Sequence, residues 1–503
     1  MAVYDTHVPS PLVEENVFRS QPREEAPLPT FEQAQALLPQ PEWQGHEAAI
    51  DCYWKVWQLA FHNLRRPTAE NGFVANYIDT AFNNCLFMWD SAFILLFARY
   101  GRRAFNFQRT LDNLYAKQHA DGFICREIRE ADGQDCFERF DPASTGPNVM
   151  PWTEWEYFEL SGDRERVRHV LPVLAAYHRW LREYRTWPDG SYWTSGWGCG
   201  MDNQPRVPPD RNPALSHGHR AWIDACLQQA LSARLLAMMA TVVGREGEMA
   251  DFAAEAEQLA RTVNEHMWDE GSAFYYDRKL DGSLADVKTI GAYWALLAGV
   301  TPPERVQRFV AHLENEAEFK RPHRVPSLAA DHPAYQADGG YWLGGVWAPT
   351  NYMVLRGLTR VGSDALAHEI ARNHLDNVVR VFQQTGTVWE NYSPEGAAPG
   401  KPAKPDFVGW TGLPPVAALL EYVFGLRPDV PRSRLVWDVR LLEAHGVRQY
   451  PFGQNGLLHL HCAARASAAE KPVIEAHSTV PLDLEVRWTG GAETLHVIRD
   501  SDA

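Results

Sequence analysis

Tryptophans and carboxylates cluster in this chain at spacings that no helix stripe explains. Of 19 tryptophans, Trp89, Trp193, Trp197, Trp342, Trp347, Trp389 and Trp410 fall in segments dense in Gly, Pro, Asp, Glu and Arg. An indole has a flat apolar face and one polar edge, which suits the C–H face of a sugar ring; plugging a helical core is the competing use. Four of these segments carry acids. In Phe87–Phe93, Asp90 lies between Trp89 and Ser91, where it can accept from sugar hydroxyls or cap a helix. In Gln118–Glu127 an Asp-Gly turn precedes Arg126 and Glu127, a pair that can face a pocket or solvent. In Ser195–Arg206 three glycines bring the backbone close to a neighbour, and Asp202 stands among Trp197, Met201 and Pro205. Apolar surroundings keep a carboxyl protonated, as a general acid requires; a Gly-rich Asx turn is the plainer alternative. Arg206 can orient Asp202 or bind a substrate. In Gly386–Gly396, Glu390 is flanked by Trp389, Asn391 and Tyr392, which can fix a carboxylate and a water for general base work; Trp410 follows in Val408–Thr411. Two carboxyls in unlike surroundings are what glycosidic hydrolysis needs.

Long helices are expected to hold these loops. Ile50, Tyr53, Trp54, Trp57 and Phe61 recur at three and four, as do Val167, Val170, Leu171, Leu174, Trp180 and Leu181. Trp222, Ile223, Cys226, Leu227, Ala230 and Leu231 repeat the pattern, and Leu375, Val378, Val379 and Phe382 repeat it again. Roughly a dozen such segments fall between 46 and 428, at intervals that suit a helix–loop–helix repeat. Residues 1–45, rich in Pro, Glu and Gln, read as an extended arm with one short helix near Phe31–Leu38. Over 429–503 the period changes to two: LVWDVRL, GLLHLHCAAR, PVIEAHSTV, LDLEVRW and ETLHVIRD predict five short strands of a small antiparallel β-domain.

The formal net charge of −16 argues against a nucleic-acid partner and against anionic membranes. No run of about 18 apolar residues predicts a membrane span. No signal-peptide pattern opens the chain, so a cytoplasmic location is expected. Oligomeric state is left open, a homo-oligomer included. The seven cysteines form no CxxC pair, so neither zinc nor a disulfide framework is expected. No GxGxxG or P-loop follows a plausible strand, so no nucleotide cofactor is expected, and no catalytic metal or other cofactor either.

As an ordered set, WDS at 89–91, DGFICRE at 121–127, GMDNQPR at 200–206, AWIDACLQQALSAR at 221–234, GYWLGGVWAPTNY at 340–352, WENYSPEG at 389–396 and DFVGWTG at 406–412 resemble glycoside hydrolase family 63. The likeness is to its bacterial mannosylglycerate- and glucosylglycerate-hydrolase-like members, and more distantly to trehalases. The resemblance implies an all-α (α/α)6 barrel, here with the small C-terminal β-domain appended. It implies an exo-acting pocket for one α-linked sugar, glucosyl or mannosyl, on a small glycoside or oligosaccharide, cleaved with inversion. It places the general acid on Asp202 and the general base on Glu390, and it lines the pocket with Trp89, Asp90, Arg126, Glu127, Trp347 and Asn351; the residue reading adds Trp197, Arg206, Trp389, Tyr392 and Trp410. Two features depart from the family pattern: Asn203 stands where many relatives carry a second acid, and the β-domain is not a family hallmark. Inversion requires the two carboxyls roughly 6.5–9.5 Å apart, with Asp202 drier and protonated and Glu390 held ionised. Competing readings are a trehalase- or rhamnosidase-like hydrolase, a sugar epimerase or isomerase using His217, His219 or His323, and a carbohydrate-binding protein without catalysis.

Overall fold

The structure, a computed structural model, describes residues 8–80 and 83–499. Its principal helices are α1 (Glu47–His62), α2 (Met88–Ala98), α3 (Thr110–Ala116), α4 (Met150–Ser161), α5 (Arg164–Tyr184), α6 (Ile223–Val243), α7 (Ala250–His266), α8 (Trp294–Ala298), α9 (Pro303–Val310), α10 (Ala348–Arg360), α11 (Asp364–Thr385) and α12 (Leu413–Val423). The even-numbered helices α2, α4, α6, α8, α10 and α12 pack in cyclic order, each on the next, and α12 closes on α2. The others stand outside them: α1 against α11 and α12, α3 against α2, α5 against α4 and α6, and α11 against α10 and α12.

Sequence pattern sorts the helices into these two layers. Outer helices carry one apolar stripe: in α5 it is Val167, Val170, Leu171, Leu174, Trp180 and Leu181, all buried. Asp163 starts that helix, its carboxylate accepting from the Arg166 N–H at 3.0 Å. Two inner helices are covered all round: every residue of α2 and α12 is buried. Such helices are apolar on every face. One of them, α6, is long and apolar enough to cross a membrane by length and composition, contrary to the sequence expectation; 67% of its most apolar window is buried inside the molecule. At α12 the hydrogen bonds take the i→i+5 spacing of a π-helix.

Buried charge ties the inner ring together. Arg99, just beyond α2, bonds Glu156 of α4 at 2.8 Å and Glu421 of α12 at 2.7 Å. Glu421 also accepts from Tyr352 of α10 at 2.7 Å and from Tyr100 at 2.9 Å. Buried ions persist only when paired and hydrogen-bonded, so this network fixes four inner helices against one another.

The period-two region forms seven strands rather than five. They are β4 (Leu426–Asp429), β5 (Arg434–Asp438), β6 (His445–Phe452), β7 (Gly456–Cys462), β8 (Ile474–Ser478), β9 (Leu482–Trp488) and β10 (Gly491–Val497). One sheet runs β4-β5-β9-β10, with β5 and β9 parallel. The other is β6-β7-β8 edged by β1 (Gln40–Trp43), which pairs antiparallel with β6 through Gln40↔Arg448 to Trp43↔His445. The arm before α1 therefore contributes a strand as well as short helices, Phe31–Ala34 among them. Strand β6 escapes a period-two reading because its register shifts between Val447 and Tyr450, with Gln449 at φ +59°.

Candidate active site

A cavity of about 350 Å³ opens where the chain enters the inner helices. Phe87, Trp89 and Asp90 stand at the start of α2, Gly146 and Pro147 just before α4, Gly200 and Asp202 on the approach to α6, Tyr341 and Trp342 before α10, and Glu390 and Trp410 before α12. Arg126, Glu127, Phe137 and Trp197 complete most of the wall. Side chains far apart in sequence converge because the inner ring presents the N-terminal ends of its helices together.

Strand β2 (Cys85–Phe87) runs straight into α2 and pairs antiparallel with β3 (Glu127–Arg129), setting Phe87 opposite Glu127. Trp89 and Asp90 then fall in the first turn of α2, where a carboxylate complements the helix dipole. Trp89 packs beneath Gly200, whose φ is +77° and where an added Cβ would lie 3.1 Å from the indole. That close approach accounts for one of the three glycines. The Trp89 Nε1 is buried and has no hydrogen-bond partner among the described residues. Arg126 is clamped by its Nε on the Ala143 carbonyl at 2.8 Å and ion-paired with Glu127. Its guanidinium lies over Phe137 at 4.8 Å and Trp197 at 5.7 Å.

Asp202 follows a single helical turn, Gly196–Cys199, capped by Ser195 accepting from the Gly198 N–H at 3.1 Å. Three neighbours in sequence anchor its loop. Asn203 donates to the Gly340 carbonyl at 2.9 Å and accepts from the Trp342 N–H at 2.9 Å, joining the Asp202 loop to the Tyr341 loop. Gln204 donates to the Ser327 carbonyl at 2.7 Å. Arg206 is buried, forks onto Asp224 and Asp277 at 2.6–2.9 Å, and lies over Trp222 at 4.2 Å. Tyr341 sits at φ +66°, an uncommon backbone for a bulky residue, and its hydroxyl lies 3.4 Å from Glu390 Oε1. Glu390 accepts from the Lys404 N–H at 3.2 Å, and its own carbonyl accepts from Trp410 Nε1 at 2.8 Å.

Four acids share this cavity with one guanidinium, and burial pushes all four upward. Asp202 rises to about 6, chiefly through desolvation, with Arg126 opposing. Glu390 rises to about 7, again chiefly through desolvation; the Lys404 N–H, the Lys404 charge and the Tyr341 hydroxyl offset only part of it, and the Asp202 charge adds to it. Asp90 is raised by burial and by Glu127 and Glu390, and Glu127 by burial against the pull of Arg126. Burial raises both carboxyls, so neither is set apart as the ionised base: the Lys404 N–H and the Tyr341 hydroxyl offset only part of the rise at Glu390.

Of the residues singled out from sequence, Trp89, Asp90, Arg126, Glu127, Trp197, Asp202, Glu390 and Trp410 are brought together on this wall. Trp347, Asn351, Arg206, Trp389 and Tyr392 are not on it. Trp347 is fully buried, stacked face to face behind Trp342 at 3.8 Å and 2°. Asn351 is buried and donates its Nδ2 to the Trp347 carbonyl at 3.2 Å, and Arg206 is spent on its two aspartates. Trp389 turns its Nε1 to Thr385 at 3.1 Å, and the Tyr392 hydroxyl accepts from the Trp389 N–H at 3.1 Å. Trp342, one of the loop tryptophans, also lines the cavity, and Phe87, Phe137 and Tyr341 do so without having been assigned to it. Tyr341 and Trp342 were signalled by the Gly339-Gly340 pair before them; nothing comparable marks Phe137. No histidine lines the cavity among the described residues: His217 and His219 pack with Trp187, and His323 bonds the buried His374 at 2.7 Å.

A family profile described as "Mannosylglycerate hydrolase MGH1-like glycoside hydrolase domain" matches residues 84–411, which span every element that reaches the cavity. The chain belongs to that family. It is a glycoside hydrolase, and its substrate is a carbohydrate. Mannosylglycerate hydrolase of Thermus thermophilus is 25% identical over 57% of this chain and 85% of its own length. A probable mannosyl-oligosaccharide glucosidase of Schizosaccharomyces pombe is 24% identical over 49% of this chain and 34% of its own length. The crystal structure of the GH63 mannosylglycerate hydrolase from Thermus thermophilus, in complex with glucose, superposes with a TM-score of 0.58 at 23% identity, over 72% of this chain and 99% of that one. The glycosidase therefore shares the fold of that structure over the part covered.

Proposed function

We propose that this glycosidase is an exo-acting, inverting enzyme on an (α/α)6 barrel, releasing a terminal α-linked glucosyl or mannosyl unit from a small, uncharged glycoside. One observation carries the reading: Asp202 and Glu390, delivered by loops nearly two hundred residues apart, share one cavity whose walls include Trp89, Trp197, Trp342 and Trp410. The closed ring of inner helices supports the barrel. A cavity near the lower end of small-molecule sites supports an end-on sugar rather than a bound chain.

Protonated Asp202 gives its proton to the glycosidic oxygen as the C–O bond breaks. Glu390, held by the Lys404 N–H and the Tyr341 hydroxyl, takes a proton from the water that attacks the anomeric carbon from the opposite face. Asp90, Glu127 and Arg126 are the polar groups left to grip sugar hydroxyls, and the indoles offer stacking faces. An anionic aglycone would enter a cavity with four acids and one guanidinium, already paired, so neutral glycosides fit better than glycosides that carry a carboxylate, such as the mannosylglycerate named for the Thermus enzyme. Hydrolysis of a panel of α-glucosides and α-mannosides, followed by proton NMR, tests the mechanism: the β-anomer must form first. First appearance of the α-anomer, or a glycosyl ester trapped on Glu390, overturns it.

A further inference from the structure

We infer that Cys85, Cys136 and Glu127 form a site for a soft divalent cation, such as zinc or cadmium, whose occupation shuts the catalytic cavity. The link to catalysis rests on the reading of that cavity given above; the site itself does not. The two sulfurs lie 3.5 Å apart, and one ligand atom from each of the three residues falls within 4.8 Å of the others. Two sulfurs bound to one tetrahedral zinc at ~2.3 Å sit ~3.8 Å apart, so the thiols are already near their bound separation. They lie 51 residues apart in sequence, which no spacing motif reveals.

Strand register separates this arrangement from a disulfide. Cys85 lies on β2, opposite Arg129 of β3. Cys136 lies on the other side of β3, its N–H donating to the Glu127 carbonyl at 3.0 Å, with Ile128 bridged to Asp135. One strand thus runs between them. A disulfide would need the sulfurs to close from 3.5 Å to ~2.05 Å across the intervening strand, whereas a metal reached from both sides, with Glu127 between, accepts them near their present separation. Binding replaces two S–H bonds by two metal–sulfur bonds and releases two protons; the Glu127 carboxylate becomes the third ligand and water can supply a fourth. The cost falls on the cavity, because a metal on Glu127 engages the carboxylate that pairs with Arg126, and both line the cavity.

The other five cysteines are buried, and these two are half-exposed. Titration of the full-length reduced protein with cadmium alone reads the site directly, through the ultraviolet thiolate-to-cadmium charge-transfer band. The band should saturate at one equivalent and vanish in both Cys85→Ser and Cys136→Ser. Zinc alone should lower kcat/KM at least about tenfold, as displacement of a substrate-gripping group would, reversibly with EDTA. The two serine variants, with unchanged basal activity, should resist it; Cys85→Ala and Cys136→Ala guard against an effect peculiar to serine. A wild-type protein without the band, or a double variant that keeps it, overturns the site even if hydrolysis is as proposed. A saturated site with undiminished kcat/KM overturns the shut-off.

Discussion

Asp202 and Glu390, the proposed acid and base, are both raised towards neutrality by burial. Asp202→Asn and Glu390→Gln are each expected to lose roughly 10²–10⁴-fold in kcat on a substrate with a poor leaving group, with folding intact by circular dichroism. Near-wild-type turnover by either variant would remove that residue from its role. Values of about 6 for Asp202 and about 7 for Glu390 also predict an unusually narrow bell in kcat/KM, centred near pH 6.5. The limbs belong to the pair, because the Asp202 charge raises Glu390 and the two titrate in the same range. A broad plateau from pH 5 to 8 would show that these values do not govern catalysis. Residue types marked both acids as candidates, Glu390 beside Trp389 and Asp202 in a Gly-rich stretch after Trp197, and the family resemblance supplied their proposed roles. They did not show that burial raises both carboxyls.

Loop anchoring belongs to the elements, and here sequence and structure part. Arg206 was readable as a substrate ligand because it follows Asp202 closely; its partners Asp224 and Asp277 lie on the α6 entrance and a distant turn, invisible at the level of spacing. Trp347 and Asn351 misled similarly: a motif fixes the neighbourhood of a cavity, while only packing decides that Trp342 faces it and Trp347 supports it. The helices themselves were legible, because 3.6-residue stripes and all-round apolar runs survive any tertiary arrangement. Strand β6 was not, because its bulge breaks the alternation. Arg206→Met leaves two buried carboxylates without their cation and is expected to cost about 3–5 kcal/mol of stability, read as a fall in denaturant midpoint. Enough folded variant should remain at low temperature to show KM near wild type, as a structural tie requires. A large rise in KM with unchanged stability would restore Arg206 to substrate binding.

At the scale of the molecule, acidity is a cost that function imposes. Glu390 folds from an ordinary value of 4.5 to about 7. A carboxyl raised on folding costs stability where the unfolded chain ionises and the native group does not: the penalty is absent below about pH 4.5, grows between 4.5 and 7, and levels off at about 3 kcal/mol above it. Glu390→Gln should therefore melt higher than wild type at pH 8 and equally at pH 4.5. An identical difference at both pH values would assign the effect to packing instead of charge.

The same acidity should choose among substrates before any contact forms. The chain carries a formal charge of −16, and four carboxyls meet one guanidinium at the cavity. A potential of that sign slows an anionic substrate's approach and leaves a neutral one untouched. Screening works over a Debye length of about 10 Å at 0.1 M salt, comparable to the cavity's own span, so added salt relieves the repulsion where it acts. For an α-glycoside with a carboxylate on its aglycone, kcat/KM should rise several-fold between about 0.01 and 0.3 M salt, while the matching neutral glycoside stays flat and remains the better substrate throughout. If the carboxylate-bearing glycoside is instead preferred at low salt and weakens as salt rises, a cation outside the Arg126–Glu127 pair must receive it, and the preference for uncharged glycosides falls with the acid–base assignment left standing.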